Sequence, residues 1–302
     1  MQTAPLADTA TVNAPIVDGF YDPNTFTISY VVTDPQTGLA AVIDPVLDYD
    51  PSSGAISNRS AQRLIEHIRE TGAQLQWILE THAHADHLSG AQVIKDALGG
   101  RLVIGEHIQQ VQSTFSELFD LGDDFPTDGS QFDKLVADRD ELPLGELSIK
   151  VIHTPGHTPA CVSYLIDDAL FVGDTLFLPD YGTARADFPG GDARALYRSI
   201  RRLLSLPADT RMYMCHDYPP KGRLPAWETS VGEQRENNIH VHDGIDENTF
   251  VEQRCRRDST LPAPNLILPS LQVNIRAGSL PEPHANGVRY LQIPLNQLGG
   301  GD

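Results

Sequence analysis

Thr81-His82-Ala83-His84-Ala85-Asp86-His87 follows directly on the apolar run at residues 75–80 (LQWILE), and its reading decides the fold. Three imidazoles and a carboxylate fall within six positions. Neutral imidazole is the commonest metal ligand among side chains. In an extended segment, side chains two apart point the same way, so His82 and His84 can face one centre. If a helix begins near Asp86, Asp86 and His87 sit in its first turn and approach that centre from another side.

Further along the chain, three more donors repeat the context. His157 lies in a Thr-Pro-Gly-His-Thr turn after Leu147–His153, Asp174 closes ALFVGD, and His216 closes RMYMCH. Each stands where an apolar strand ends, and α/β folds carry ligands on loops at the carboxyl ends of strands. Strand ends converging on one rim would bring His82, His84, Asp86, His87, His157, Asp174 and His216 together around a metal.

The surrounding pattern alternates strands and helices. Strands are expected at 26–33 and 40–43 around a turn at 34–38, and at 75–80, 102–104, 147–153, 162–166, 169–172 and 211–215. Residues 60–70 read as a helix with Leu64, Ile65 and Ile68 near one face and Ser60 placed to cap it. Residues 91–98 read as a helix stopped by Gly99-Gly100. In a third helix, 193–204, Leu196, Ile200, Leu203 and Leu204 face a core. The acid-rich stretch 107–141 is expected to be irregular, a loop or an edge over the site. Strand-rich halves separated by helices predict two packed sheets with helices outside, a four-layer α/β arrangement.

Composition narrows the function. The 302 residues hold 22 Lys and Arg against 41 Asp and Glu, a formal charge of −19. Such a surface repels a nucleic-acid backbone, which basic residues must neutralise, and an anionic membrane. An anionic substrate must meet a local positive cluster, either a metal or placed arginines. The leader MQTAPLADTATVNAP lacks a secretory pattern and has no arginine. No apolar run reaches the ~18 residues of a membrane span. Three cysteines, Cys161, Cys215 and Cys255, fit a reducing compartment, so a cytoplasmic protein is expected.

The donor set resembles that of the metallo-β-lactamase superfamily, whose H-x-H-x-D-H signature, Gly-His turn, Gly-Asp and final His occur here in order. The resemblance implies an αββα sandwich, with a core at about 16–222, an extension at about 223–281 completing it and a tail at 282–302. In the dinuclear form, His82, His84 and His157 would hold one metal, Asp86, His87 and His216 a second, and Asp174 could bridge. The finer likeness is to the persulfide dioxygenases. It rests on IDPVLD at 43–48, THAHADH, TPGHTPACV, GDTL, HDY, Phe250, LPAP at 261–264, Ile267, Pro269 and Asn274-Ile275-Arg276-Ala277-Gly278. That likeness implies one Fe(II) per chain on His82, His157 and Asp174, with His84, Asp86, His87 and His216 orienting ligands around it. It also implies glutathione persulfide and O2 as substrates, and a homodimer. Two histidines and one carboxylate leave positions open for O2 and substrate. Zinc, alone or as a pair, is the alternative metal, and a glyoxalase II-like thioester hydrolase is the alternative activity. A metal-bound sensor with little turnover stands as a third class.

Other signals are weaker. Arg185, Tyr218, Lys221 and Arg223 are candidates for gripping a carboxylate-bearing thiol, with Arg185 and Asp187 able to orient one another. Ala186 stands in a segment where the family usually carries a cysteine, and YDPSSGAIS at 49–57 looks like an insertion. His240 and His242 read as a surface pair, His67, His107, His153 and His284 as solvent-facing or packed, and Cys161 and Cys215 as buried small hydrophobes.

Overall fold

A computed structural model describes residues 14–298 of the chain. The leader reading and the last four residues of the tail fall largely or wholly outside them. In chain order the strands and helices are β1 (Ile16–Tyr21), β2 (Ile28–Thr33), β3 (Leu39–Ile43), β4 (Val46–Asp50), β5 (Ala55–Ser57), α1 (Arg59–Thr71), β6 (Gln74–Leu79), β7 (Leu88–Ser89), α2 (Ala91–Leu98), β8 (Arg101–Gly105) and α3 (Ile108–Leu118). There follow β9 (Lys134–Val136), β10 (Glu141–Leu144), β11 (Leu147–His153), β12 (Val162–Ile166), β13 (Ala169–Phe171), α4 (Ala193–Leu203), β14 (Arg211–Tyr213), β15 (Glu228–Ser230), α5 (Val231–Asn237), α6 (Glu247–Asp258) and α7 (Ile267–Asn274).

Two six-stranded mixed sheets, ordered β1-β2-β3-β6-β8-β9 and β10-β11-β12-β13-β14-β15, pack face to face. The period-2 alternation of each strand sets the layers. Along β2 and β3, Ile28, Tyr30, Val32, Ala41 and Ile43 face the second sheet, where Ile149, Val151, Tyr164 and Phe171 meet them. Val31, Ala40 and Val42 point the other way, onto Leu64, Ile65 and Ile68 of α1 and Phe115 of α3. On the far side, Leu170, Met212 and Met214 meet Leu196, Ile200 and Leu203 of α4 and Phe250 of α6. The αββα sandwich expected from the sequence is what forms. Among the described residues, no helix is long and apolar enough to cross a membrane.

Some local expectations are corrected. Residues 107–141 are not irregular throughout: Ile108, Val111 and Phe115 fall at helical spacing, are buried, and make α3, while β9 pairs in parallel with β8. Ser60 is not the cap of α1. It lies inside the first turn, where its N–H and hydroxyl donate to Asp48 at 2.9 and 3.0 Å, so a carboxylate on β4 does the capping. No helix begins near Asp86; β7 intervenes, and α2 starts at Ala91. YDPSSGAIS forms most of the β4–β5 hairpin, turned at Gly54 with φ +71°.

Candidate metal centre

The site lies where the two sheets are fastened to each other at one end. The Tyr30 hydroxyl donates to the Met214 carbonyl at 2.5 Å, and Ile28 N–H donates to Cys215 O at 2.7 Å. The Tyr164 hydroxyl donates to Glu80 O and Val162 N–H to Thr81 O, both at 2.9 Å. Asp44, residues 80–87, His157, Asp174 and His216 follow β3, β6, β11, β13 and β14 respectively, so five strand ends deliver the site. Two glycines permit the approach. A Cβ on Gly173 (φ +52°) would meet Thr81 Oγ1 at 2.7 Å, and one on Gly156 (φ +142°) would meet the Leu196 backbone at 2.3 Å.

All seven predicted donors are brought together. His82, His157 and Asp174 form one group whose ligand atoms lie within 4.8 Å of one another. His82 Nε2 and His157 Nε2 are 3.9 and 3.7 Å from Asp174 Oδ2. His84, Asp86 and His87 form a second group. His216 Nε2 stands between Asp86 Oδ2 (3.2 Å) and Asp174 Oδ1 (3.3 Å).

Hydrogen bonds at the far ring nitrogens set which nitrogen is bare. His157 Nδ1 faces Arg185 O at 2.9 Å and His87 Nδ1 faces Leu88 O at 3.0 Å. A carbonyl only accepts, so Nδ1 carries the hydrogen and Nε2 keeps its lone pair. For His82 the same result comes through a relay. The Thr81 hydroxyl donates to Asp44 Oδ2 (2.8 Å) and therefore accepts from His82 Nδ1–H (3.0 Å). Burial, then neighbouring imidazoles, hold the His82 pKa well below its usual value. Burial and His84 push His87 down to about 4, so both rings are neutral at pH 7.

Below this layer the sequence reading missed a buried polar cluster, Asp44, Glu80 and His84. His84 Nε2 lies 3.0 Å from Asp44 Oδ1 and 3.6 Å from Glu80 Oε2. Burial lowers the His84 pKa, but Asp44 and Glu80 override it and raise it to about 9. Burial raises Glu80 to about 8. For Asp44, the charge of His84 and the Thr81 hydrogen bonds overcome burial and lower the pKa. The sequence signals were slight: Asp44 and Glu80 each close an apolar run, at 40–44 and 75–80.

His82 Nε2, His87 Nε2, Asp86 Oδ2 and Asp174 Oδ1 are buried and have no hydrogen-bond partner among the described residues. Buried polar atoms are rarely left so. These are lone-pair atoms that no donor of the chain meets, and a cation held by either group would satisfy that group's share of them. The residues fit a metal ion.

The centre opens into a cavity of about 840 Å³, lined at its floor by Asp86, His157 and Asp174. One wall is aromatic: Tyr218 stacks on Tyr181 (centroids 4.8 Å) and on His216 (5.8 Å). The β4–β5 hairpin supplies Tyr49, Pro51 and Ile56 to another wall, so the insertion-like segment shapes the mouth. Of the expected substrate grips, Arg185 and Tyr218 reach the cavity, whereas Lys221 and Arg223 are not among its lining residues. Arg185 is already bound to both Asp187 oxygens (2.5 and 2.7 Å) and to Pro262 O (2.7 Å). Arg223 is bound to both oxygens of Asp217 (2.9 and 2.6 Å). The sequence reading missed Arg257 of α6, which lines the cavity, is exposed, and has no ion pair among the described residues.

The remaining signals resolve simply. Ala186 is buried in the core against α4 and its N–H donates to Asp258 at 2.9 Å; Thr183 and Ala184 line the cavity instead. His240 is not the surface residue expected: it is half-buried, and its Nδ1 accepts from Thr183 N–H at 3.1 Å. Cys161 and Cys215 are buried, and burial raises both thiol pKa values, that of Cys161 to about 12.

Residues 24–216 match the metallo-beta-lactamase superfamily. A protein of Burkholderia pseudomallei (strain 1710b) named "Probable metallo-hydrolase" is 55% identical over 292 residues, covering 93% of this chain and 99% of its own. The mitochondrial persulfide dioxygenase ETHE1 of Homo sapiens is 32% identical over 201 residues, 66% of each chain. Among solved structures, ETHE1 from Myxococcus xanthus superposes with a TM-score of 0.70 at 29% identity, covering 87% of this chain and 100% of that one.

Proposed function

The chain belongs to the metallo-β-lactamase superfamily, and from that membership we propose that it is an iron-dependent persulfide dioxygenase acting on glutathione persulfide or a similar small persulfide. The observation that carries the reading is the grouping of donors. His82, His157 and Asp174 form one compact two-histidine, one-carboxylate set, while His84 is drawn aside by Asp44 and Glu80. Such a set is typical of non-haem iron oxygenases. The likeness to the human persulfide dioxygenase supports the same activity. The overall reaction would be glutathione persulfide + O2 + H2O → glutathione + sulfite + 2 H⁺.

Fe(II) on this set would supply open coordination positions and redox chemistry that zinc lacks. The protein's own residues do the rest. Arg185 O and the Thr81 hydroxyl keep the bare nitrogens of His157 and His82 aimed at the centre. Asp86 and His216 stand beside that set, with His216 Nε2 3.2 Å from Asp86 Oδ2. The Tyr181–Tyr218 wall keeps water from one side of the persulfide. Arg257 offers an open guanidinium for a substrate carboxylate at the mouth, in a chain whose formal charge is −19.

A second reading is a dinuclear thioester hydrolase. It is favoured by the hydrolase name of the Burkholderia relative and by His216 lying within 3.3 Å of both Asp86 and Asp174. The two separate in one assay. Apoprotein reconstituted anaerobically with Fe(II) or Zn(II) is offered glutathione persulfide at an oxygen electrode and lactoylglutathione in a hydrolysis assay. Persulfide-dependent oxygen uptake by the iron form alone supports the dioxygenase. Lactoylglutathione hydrolysis with no oxygen uptake refutes it.

A further inference from the structure

We propose that Asn274 is a positioning residue for the metal-binding loop, its carboxamide fixing the backbone on both sides of Asp86. The inference rests on the metal-site reading above. Asn274 ends α7, 187 residues after His87, and is buried. Its Nδ2 donates to His84 O and to His87 O, each at 2.8 Å, and its Oδ1 accepts from Ser89 N–H at 2.8 Å. The loop from His84 to His87 belongs to no helix or strand. Among the described residues, no loop or turn N–H bonds to either carbonyl. One primary amide therefore meets three backbone groups, two of them carbonyls that no loop or turn N–H reaches, and buried backbone groups must be paired. Fixing the His84 and His87 carbonyls fixes the 84–85 and 87–88 peptide planes and so holds, on either side of Asp86, the loop that also carries His82.

The turn that follows Asn274 is held from two further directions. Gln92 Nε2 of α2 donates to Ala277 O at 2.7 Å, and Gln112 Nε2 of α3 donates to Ile275 O at 2.9 Å. Gly278 (φ +82°) lies so close that a Cβ there would meet Ser89 O at 3.1 Å. The Ser89 hydroxyl in turn donates to Glu80, which closes a ring from the end of β6 through Asn274 and back to the loop. The C-terminal Asn-Ile-Arg-Ala-Gly stretch thus acts on the metal centre without touching the ion.

The test uses the full metal-free chain and Co(II), whose visible absorption reports ligand geometry. Asn274→Asp keeps the shape but cannot donate; Asn274→Ala removes the amide. Both are expected to weaken Co(II) binding on the order of 10–100-fold, as loss of ligand-orienting contacts does, and to alter the absorption bands. Hydrogen exchange at residues 82–88 should rise while β2 and β12 keep their protection. Gln112→Ala, which loosens the same C-terminal turn without touching the loop, should lower the Tm and leave the Co(II) spectrum unmoved. Wild-type affinity, spectrum and loop exchange in either folded Asn274 variant would overturn the inference. So would an equal effect from Gln112→Ala, since Asn274 would then be scaffold only. Failure of the wild-type chain to take up Co(II) would instead defeat the metal-site reading.

Discussion

Replacing Thr81 by valine removes one hydroxyl from the floor of the site and nearly conserves its shape. In the wild-type chain that hydroxyl spans 2.8 Å to Asp44 Oδ2 and 3.0 Å to His82 Nδ1, and Thr81 is 1% exposed. The Thr81 N–H to Asp44 Oδ1 bond at 2.7 Å survives the substitution, so the loop stays anchored. What is lost is the acceptor that keeps the hydrogen on Nδ1 of His82. A buried donor left unmet costs about 1–3 kcal/mol. Loss of a contact that orients a metal ligand costs on the order of 10–100-fold in affinity, or about 1.4–2.8 kcal/mol. Competition titration of the metal-free variant with Co(II) against a chelator measures the affinity. Thr81→Ser, which keeps the hydroxyl, should restore most of it. Unchanged affinity in a folded Thr81→Val would refute the relay from Asp44 through Thr81 to His82.

Two further outcomes follow from the cavity and its surroundings. Arg257→Gln should raise the KM for glutathione persulfide about fivefold with little change in kcat, roughly 1 kcal/mol for an exposed ion pair; the gap should close at high salt, and an unaltered KM at low salt would exclude Arg257 as a substrate contact. The pKa of His240 is held at about 4 by burial and by Arg254 and Arg257. Its unfolded value is about 6.5, so as pH falls from there towards 4 the unfolded chain takes up a proton that the folded chain refuses, and stability is lost. Asn at 240 can accept the Thr183 hydrogen bond without titrating. The Tm of His240→Asn relative to wild type should therefore rise across that acid range, whereas parallel Tm–pH curves would contradict the assignment.

The donors were legible because imidazole and carboxylate at strand ends are chemically distinctive, whatever surrounds them. The layer order was legible because period-2 and helical patterns bury one face. The polar cluster under the site was not. Asp44 meets Thr81 and His84 only in the tertiary fold, and Glu80, four residues before His84, stands in no helix whose period would flag the pair. The arginines failed for a related reason. Arg223 looks like an open grip until Asp217 is seen against it, Arg185 is held by the Asp187 that its spacing already offered, and nothing local marks Arg257 until the cavity is seen beside it. Helix α3 was hidden by the acidic residues that follow it, although Ile108, Val111 and Phe115 carried its period.

Iron content per chain, measured after anaerobic reconstitution of the wild type, His82→Ala, Asp174→Ala and Asp86→Asn, tests most directly whether one ion is gripped by His82, His157 and Asp174. About one iron is expected in the wild type and in Asp86→Asn, as a three-ligand site that excludes Asp86 requires, and almost none in the other two. Two ions per wild-type chain, or iron retained by His82→Ala, would contradict it.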